Sequence, residues 1–249
     1  MGNPYGDGGC QGELSTLPLT SNDRSDRMSP AHARPRGVID FALYLITDRR
    51  ATGGVPLPDA VGAALAGAGS AEGRCAVQLR EKDLPTRELL ELARRVRERT
   101  GAAGAKLLIN DRLDLCWASG ADGVQLRADS LPTEVARRLL GEPGVIGVSV
   151  HSLAEAVLAE AQGADFVLFG PVYETPSKVT YGPPQGVGRL TDVAARLRIP
   201  VFAVGGVTTA RVPELLRAGV HGVGVITSVF GSDDIVRAAE AMQRALRER

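Results

Sequence analysis

The stretch Val145–Lys178, VIGVSVHSLAEAVLAEAQGADFVLFGPVYETPSK, decides the fold. It opens on an apolar run, Val145–Val150, which carries Ser149 near its end and is followed by His151. Ser152 and Glu155 then stand at capping-box spacing and start a helical pattern. A second apolar run, Phe166–Gly170, gives way to a polar loop holding Thr175, Ser177 and Lys178. Short apolar runs between turn residues suit strands buried on both faces, and strand–helix–strand order suits a parallel unit. Both runs release their reactive groups at the carboxyl end, where a closed α/β barrel keeps its active site. A hydroxyl and an imidazole from one loop, with hydroxyls and an ammonium from the next, suit an anionic substrate.

The same unit recurs on either side. Apolar runs at Leu43–Asp48, Cys75–Arg80, Lys106–Asp111 and Gly123–Leu126 precede the quoted stretch, and Pro200–Gly206 and Gly222–Thr227 follow it. Helical patterns over Asp59–Ala68, Arg87–Arg99, Leu113–Ser119, Thr133–Leu140, Thr209–Ala218 and Asp233–Arg247 separate or follow them. Eight such repeats predict an α/β fold, a single (β/α)8 barrel of the TIM type over residues 39–249. A doubly wound sheet is the rival, but no GxGxxG follows the first strand. The phrases Gly120–Val124, Gly163–Val167 and Gly219–Val223 each precede a strand, as glycine helix caps would. Residues 1–38 are rich in Gly, Pro, Ser, Asp and Arg without apolar periodicity, and predict a disordered N-terminal extension.

Composition narrows the function. A formal net charge of zero gives no broad electrostatic footprint for nucleic acid or an anionic membrane. Aromatics are only 4%, too few for base-stacking platforms, and no apolar stretch approaches a bilayer span. The three cysteines, Cys10, Cys75 and Cys116, lack CxxC spacing, so neither a zinc site nor a disulfide framework is expected and a cytoplasmic setting fits. Whether the chain forms a homo-oligomer is left open by its sequence.

The strand ends supply the candidate site. Strand two ends in Gln78, Arg80, Glu81 and Lys82, where two cations flanking an acid suit a pyrophosphate. Strand three ends in Asn110 and Asp111, the latter a helix N-cap or a ligand for Mg²⁺. Strand four is followed by Arg127 and Asp129, and strand five by His151. Gly206 after strand seven and Thr227 after strand eight sit where barrels build a phosphate site from backbone amides. His221 falls on the opposite rim and is expected to be structural.

The phrases LYLITD, VQLREK, INDR, GVSVHS, FGPVYETPSK, AVGGV and GVGVIT occur in this order, one per strand end apart from the fourth. With them the chain resembles the thiamine-phosphate synthase and thiazole tautomerase superfamily over nearly all of Leu43–Arg247. The resemblance implies phosphorylated thiazole and pyrimidine precursors as small-molecule partners. A synthase would join hydroxymethylpyrimidine diphosphate to carboxythiazole phosphate, releasing pyrophosphate and CO₂. The resemblance then implies a leaving-group clamp of Arg80, Lys82 and Lys178, with Mg²⁺ on Asp111. Gln78 and Asn110 would hold the pyrimidine and Ser149 the pyrophosphate or pyrimidine. Thr175, Ser177, Gly206, Ile226 and Thr227 would hold the thiazole phosphate. After strand four the family pattern reads like HLGQ, a variable residue and a metal-binding Asp. Here it is QLRADS, Gln125–Ser130, so Ser130 stands at the metal position and Asp129, one residue away, is the candidate second ligand. A tautomerase would instead isomerise the thiazole with His151 as acid/base, needing no metal. A non-catalytic precursor sensor is a third reading. The retained Gln78, Arg80, Lys82, Asp111 and Lys178 favour the synthase.

Overall fold

The computed structural model describes residues 39–69, 75–127, 129–175 and 183–248. Among them eight parallel strands close into a barrel in chain order. The strands are β1 (Leu43–Ile46), β2 (Cys75–Leu79), β3 (Lys106–Asn110), β4 (Gly123–Leu126), β5 (Val145–Val150), β6 (Phe166–Phe169), β7 (Val201–Val204) and β8 (Gly222–Val225). The helices are α1 (Leu57–Ala68), α2 (Thr86–Ala102), α3 (Leu113–Ser119), α4 (Thr133–Leu140), α5 (Leu153–Ala161), α6 (Gly186–Arg196), α7 (Val212–Arg217), α8 (Thr227–Phe230) and α9 (Ile235–Arg247). The expected single barrel is therefore present. The extension expected at residues 1–38 lies outside the described residues. No described helix is long and apolar enough to cross a membrane.

Strand parity explains the packing. Leu43, Leu45, Val77, Leu107 and Ile109 face the helices and join one large buried cluster with them. Their neighbours Tyr44, Ile46, Ala76, Leu108, Phe166, Leu168 and Phe202 form a second cluster inside the barrel, because successive side chains point to opposite faces. The rings of Phe41, Tyr44, Phe166 and Phe202 lie 5.2–6.3 Å apart. Room for them comes from Gly147, where a Cβ would stand 2.3 Å from Phe166 and 2.3 Å from the amide oxygen of Gln125.

The recurring phrase before the strands has a second function beyond its glycine. Asp122 Oδ2 accepts from the Leu107 amide and from Arg97, both at 2.7 Å. Asp165 Oδ2 likewise accepts from the Ile146 amide at 2.7 Å and from Arg137 at 2.5 Å. Each aspartate thus ties the start of its strand to the strand before. His221 occupies the third such position and bonds the Phe41 carbonyl at 3.1 Å, a structural role on the amino rim as its placement predicts.

Three local readings change. β1 stops at Ile46, and Asp48 caps a 3-10 turn, Arg49–Ala51, by accepting from the Arg50 amide. β8 stops at Val225, and Thr227 begins the short helix α8 that the apolar pattern hides, since VITSVF reads equally as strand. α6 after the sixth strand is an addition whose bounds the pattern does not predict.

Candidate active site

The inward parity that packs the barrel also builds its mouth. Continuing it brings Gln78, Asn110, Gln125 and Ser149 to the carboxyl halves of neighbouring strands. Gln78 Nε2 donates to Asn110 Oδ1 at 2.9 Å. Gln78 is buried, and its Oε1 has no hydrogen-bond partner among the described residues. The Tyr44 hydroxyl donates to Gln125 Oε1 at 3.2 Å, and Gln125 Nε2 donates to Ser149 Oγ at 3.1 Å. This chain fixes directions: Ser149 Oγ is an acceptor toward Gln125, so its own proton is available toward the mouth. Complete burial pushes the Tyr44 phenol well above its usual range, so it stays the donor. Sequence reading missed Tyr44 as part of the site. Its signal was a polar group at an inward position of a fully buried strand.

Beyond these side chains the β2 loop is held by Glu81. Its buried carboxylate accepts from Thr47 Oγ1 at 2.8 Å and from the Arg49 amide at 3.1 Å, and pairs with the Arg49 guanidinium at 3.1 Å. Thr47 Oγ1 in turn accepts from the Arg80 amide at 2.9 Å. Arg49 also forks onto Asp83 at 2.6 and 2.8 Å and holds that carboxyl well below the usual range. Glu81 therefore points back to the β1 loop, and Arg80 takes the inward parity of Gln78. Thr47, Arg49 and Asp83 were not foreseen, because only closure of the barrel brings the β1 and β2 loops together.

Asp111 is the one non-glycine residue with positive φ among the described residues, at 66°. It is not the cap of α3, whose N-cap is Arg112 without a side-chain bond. Its left-handed turn, tolerated by aspartate better than by most residues, accompanies a carboxylate joined to Arg127 Nη2 at 3.1 Å and to the Ser130 hydroxyl. Ser130 Oγ also accepts from the Arg127 amide at 2.8 Å. Arg127 Nε lies 3.4 Å from Asp129, whose side chain is 75% exposed. Asp111 and Asp129, the expected Mg²⁺ ligands, thus face a guanidinium between them. Both Asp111 oxygens are engaged, and no group of three or more His, Cys, Asp or Glu among the described residues is arranged for a metal. As arranged, this donor set does not fit a divalent cation.

The β5–β8 side is built differently. His151 Nδ1 meets the Gly170 carbonyl at 2.5 Å, which places the ring proton on Nδ1. The His151 amide donates to Glu155 at 2.8 Å, while the Glu155 amide donates to Ser152 Oγ at 3.2 Å. The capping box is present, with its carboxylate reaching one residue further back than the motif predicts. Gly206 has φ 64°, and a Cβ there would stand 2.7 Å from the Glu174 carbonyl. Arg211 donates to the Gly206 carbonyl at 2.5 Å and lies over the Tyr173 ring at 4.1 Å, while Tyr173 donates to Glu214 at 2.7 Å. The loop after β6 is so pinned to the loop after β7. Ile226 caps α8, and Thr227 is its first residue. Thr175 follows β6 and Lys82 follows β2, each with partners of its own. Ser177 and Lys178 lie outside the described residues.

Comparison with known proteins shows the family to which the chain is similar. A family profile described as thiamine monophosphate synthase matches residues 43–229. A protein of Geobacter sulfurreducens, provisionally named a thiamine-phosphate synthase, is 52% identical over 204 residues, covering 82% of this chain and 93% of its own. A thiamine-phosphate synthase of Methanoculleus marisnigri is 44% identical, over 84% of this chain and 95% of its own. The solved thiamine phosphate pyrophosphorylase of Pyrococcus furiosus superposes with a TM-score of 0.74 at 37% identity, over 84% of this chain and 97% of its own.

Proposed function

The chain belongs to the thiamine monophosphate synthase family and is an enzyme of thiamine biosynthesis that forms thiamine phosphate, and from that premise we propose how its residues divide the work. The observation that carries the division is the half-ring of bonded polar side chains, Gln78–Asn110 and Tyr44–Gln125–Ser149, inside the carboxyl mouth. A buried Gln78 carbonyl oxygen without a partner suits a donor on the aminopyrimidine. Ser149 directs its proton at the same ligand or at its diphosphate.

Arg80 and Lys82 are assigned to the diphosphate, and the family resemblance adds Lys178, which lies outside the described residues. The C–O bond of the pyrimidine methylene breaks, and its electron pair leaves with the diphosphate oxygen. The resulting carbocation takes the lone pair of the thiazole nitrogen. The carboxylate departs as CO₂, its bonding pair stays with the thiazole, and that carbon takes a proton from water to give the thiazolium product. Charge spreading over the departing oxygens is what the cations stabilise. The thiazole phosphate rests on backbone amides at Gly206 and at the start of α8, with Ile226, Thr227 and Thr175 around it, and the family resemblance adds Ser177, outside the described residues. First-turn amides of a helix have no intrahelical partner and suit an anion.

Purified protein supplied with both precursors should release pyrophosphate and form thiamine phosphate. Lys82→Ala should lose about 100- to 1000-fold in turnover, the range for removing one transition-state contact. Unchanged turnover in that variant would remove Lys82 from the clamp.

One observation favours a second activity. With its proton on Nδ1, His151 presents Nε2 as the basic nitrogen, which suits proton transfer on the thiazole. Isomerisation of carboxythiazole phosphate that survives His151→Ala would exclude it. Cys75 and Cys116 are free thiols, which suits work in a reducing cytoplasm.

A further inference from the structure

We propose that Arg127 supplies the positive charge a divalent cation would otherwise bring to the diphosphate, so that coupling in this chain runs without a metal ion. The proposal rests on the synthase reading above. Its basis is the cluster after β3 and β4. The guanidinium lies 3.1 Å from Asp111 and 3.4 Å from Asp129, the position a cation bridging those carboxylates would need. Ser130, at the place of a second carboxylate, gives its hydroxyl proton to Asp111 and accepts the Arg127 amide, so it locks the turn instead of offering a ligand.

The charges point the same way. A divalent ion entering between Asp111 and Asp129 would meet a fixed guanidinium at contact distance, and like charges there repel. Guanidinium stays charged at every working pH, and its planar fork matches phosphate oxygens. The Arg127 side chain is 39% exposed, so part of the guanidinium stays open to a ligand while Nη2 and Nε face Asp111 and Asp129. In this arrangement Asp111 and Asp129 are positioning residues that aim the guanidinium. A fixed arginine brings charge without being loaded, whereas a bound Mg²⁺ must first lose water.

The test has two arms. Calorimetry with inorganic pyrophosphate in EDTA should give binding to the wild-type protein, about tenfold or more weaker in Arg127→Ala and intermediate in Arg127→Lys. Thermal melts of both variants should match the wild type, since the pair is partly exposed. In the coupling assay, EDTA should change the wild-type rate by less than about twofold. Mn²⁺ titrated by paramagnetic resonance should bind only after Arg127→Ala is combined with Ser130→Asp, which restores a carboxylate and removes the competing charge. The proposal is overturned if EDTA abolishes coupling and Mg²⁺ restores it, or if pyrophosphate binds Arg127→Ala as tightly as wild type. Failure to form thiamine phosphate under any condition would sink the synthase reading, while the pyrophosphate arm still decides whether Arg127 holds the anion.

Discussion

Two aspartate–arginine pairs stand at opposite ends of this barrel, Asp165–Arg137 at the amino end and Asp111–Arg127 at the carboxyl end. In the first, the side chains are 9% and 11% exposed, and Arg137 also donates to the carbonyls of Gly141, Gly144 and Gly163. In the second, the side chains are 27% and 39% exposed, and Arg127 faces only the carboxylates of Asp111 and Asp129. Residue types and ion-pair chemistry are the same. What separates them is how fully the arginine is satisfied. A buried guanidinium whose donors end on backbone carbonyls and one buried carboxylate clamps a fold. One that is partly exposed and held only by carboxylates, at the mouth of a barrel, is available to a ligand.

The largest effect should come from breaking the amino-end clamp. Asp165→Ala leaves Arg137 buried without its counter-charge and removes the acceptor of the Ile146 amide, so denaturant midpoints should report a loss of about 3–5 kcal/mol. Kinetic constants of the folded fraction should be unchanged. A loss below about 1 kcal/mol would put Asp165 with surface pairs. At the carboxyl end the pattern should reverse. Asp111→Asn keeps a side chain that tolerates φ 66° but removes the charge that aims Arg127. Coupling should fall by about tenfold or more while stability shifts by under about 1 kcal/mol. A severe loss of stability with normal kinetics would erase the difference between the two ends.

A third variant sharpens the comparison without touching charge. Gly206→Val places a Cβ against the Glu174 carbonyl in a left-handed backbone, so affinity for the thiazole phosphate should drop about tenfold or more by titration. Unaltered affinity would move the phosphate elsewhere.

The smallest effect concerns the thiols packed on the helix side. Burial pushes the Cys116 thiol up to about 11 and Cys75 higher still. Neither should react with a thiol reagent in the native protein near pH 8. Because the folded pKa values are raised, the folded state holds these protons where the unfolded chain releases them. Their contribution to stability is complete below the unfolded thiol value near ~8.5 and is lost as pH rises through about 11 for Cys116. Denaturant midpoints measured from pH 8 upward check the direction.

The order of the strands, the helices apart from α6 and α8, the carboxyl-end placement of the candidate residues and the structural role of His221 were legible in the chain. Apolar runs and helical spacing are local properties, and short right-handed crossovers leave little choice of topology. Arg80, Lys82, Asn110, Ser149 and Gly206 could be named because each follows or ends a run. What local pattern does not carry is who meets whom across the closed ring. Tyr44 reaches Gln125 over 81 positions, and Arg49 reaches Asp83 over 34. The sequence shows Arg127 intruding beside Asp129, but whether it faces solvent or Asp111 depends on the left-handed turn at Asp111 and on Ser130 locking the loop after β4. The sequence determined which groups arrive at the mouth. Closure of the barrel decided their partners, since hydrogen-bond reach is a few ångströms in space and has no fixed length along the chain.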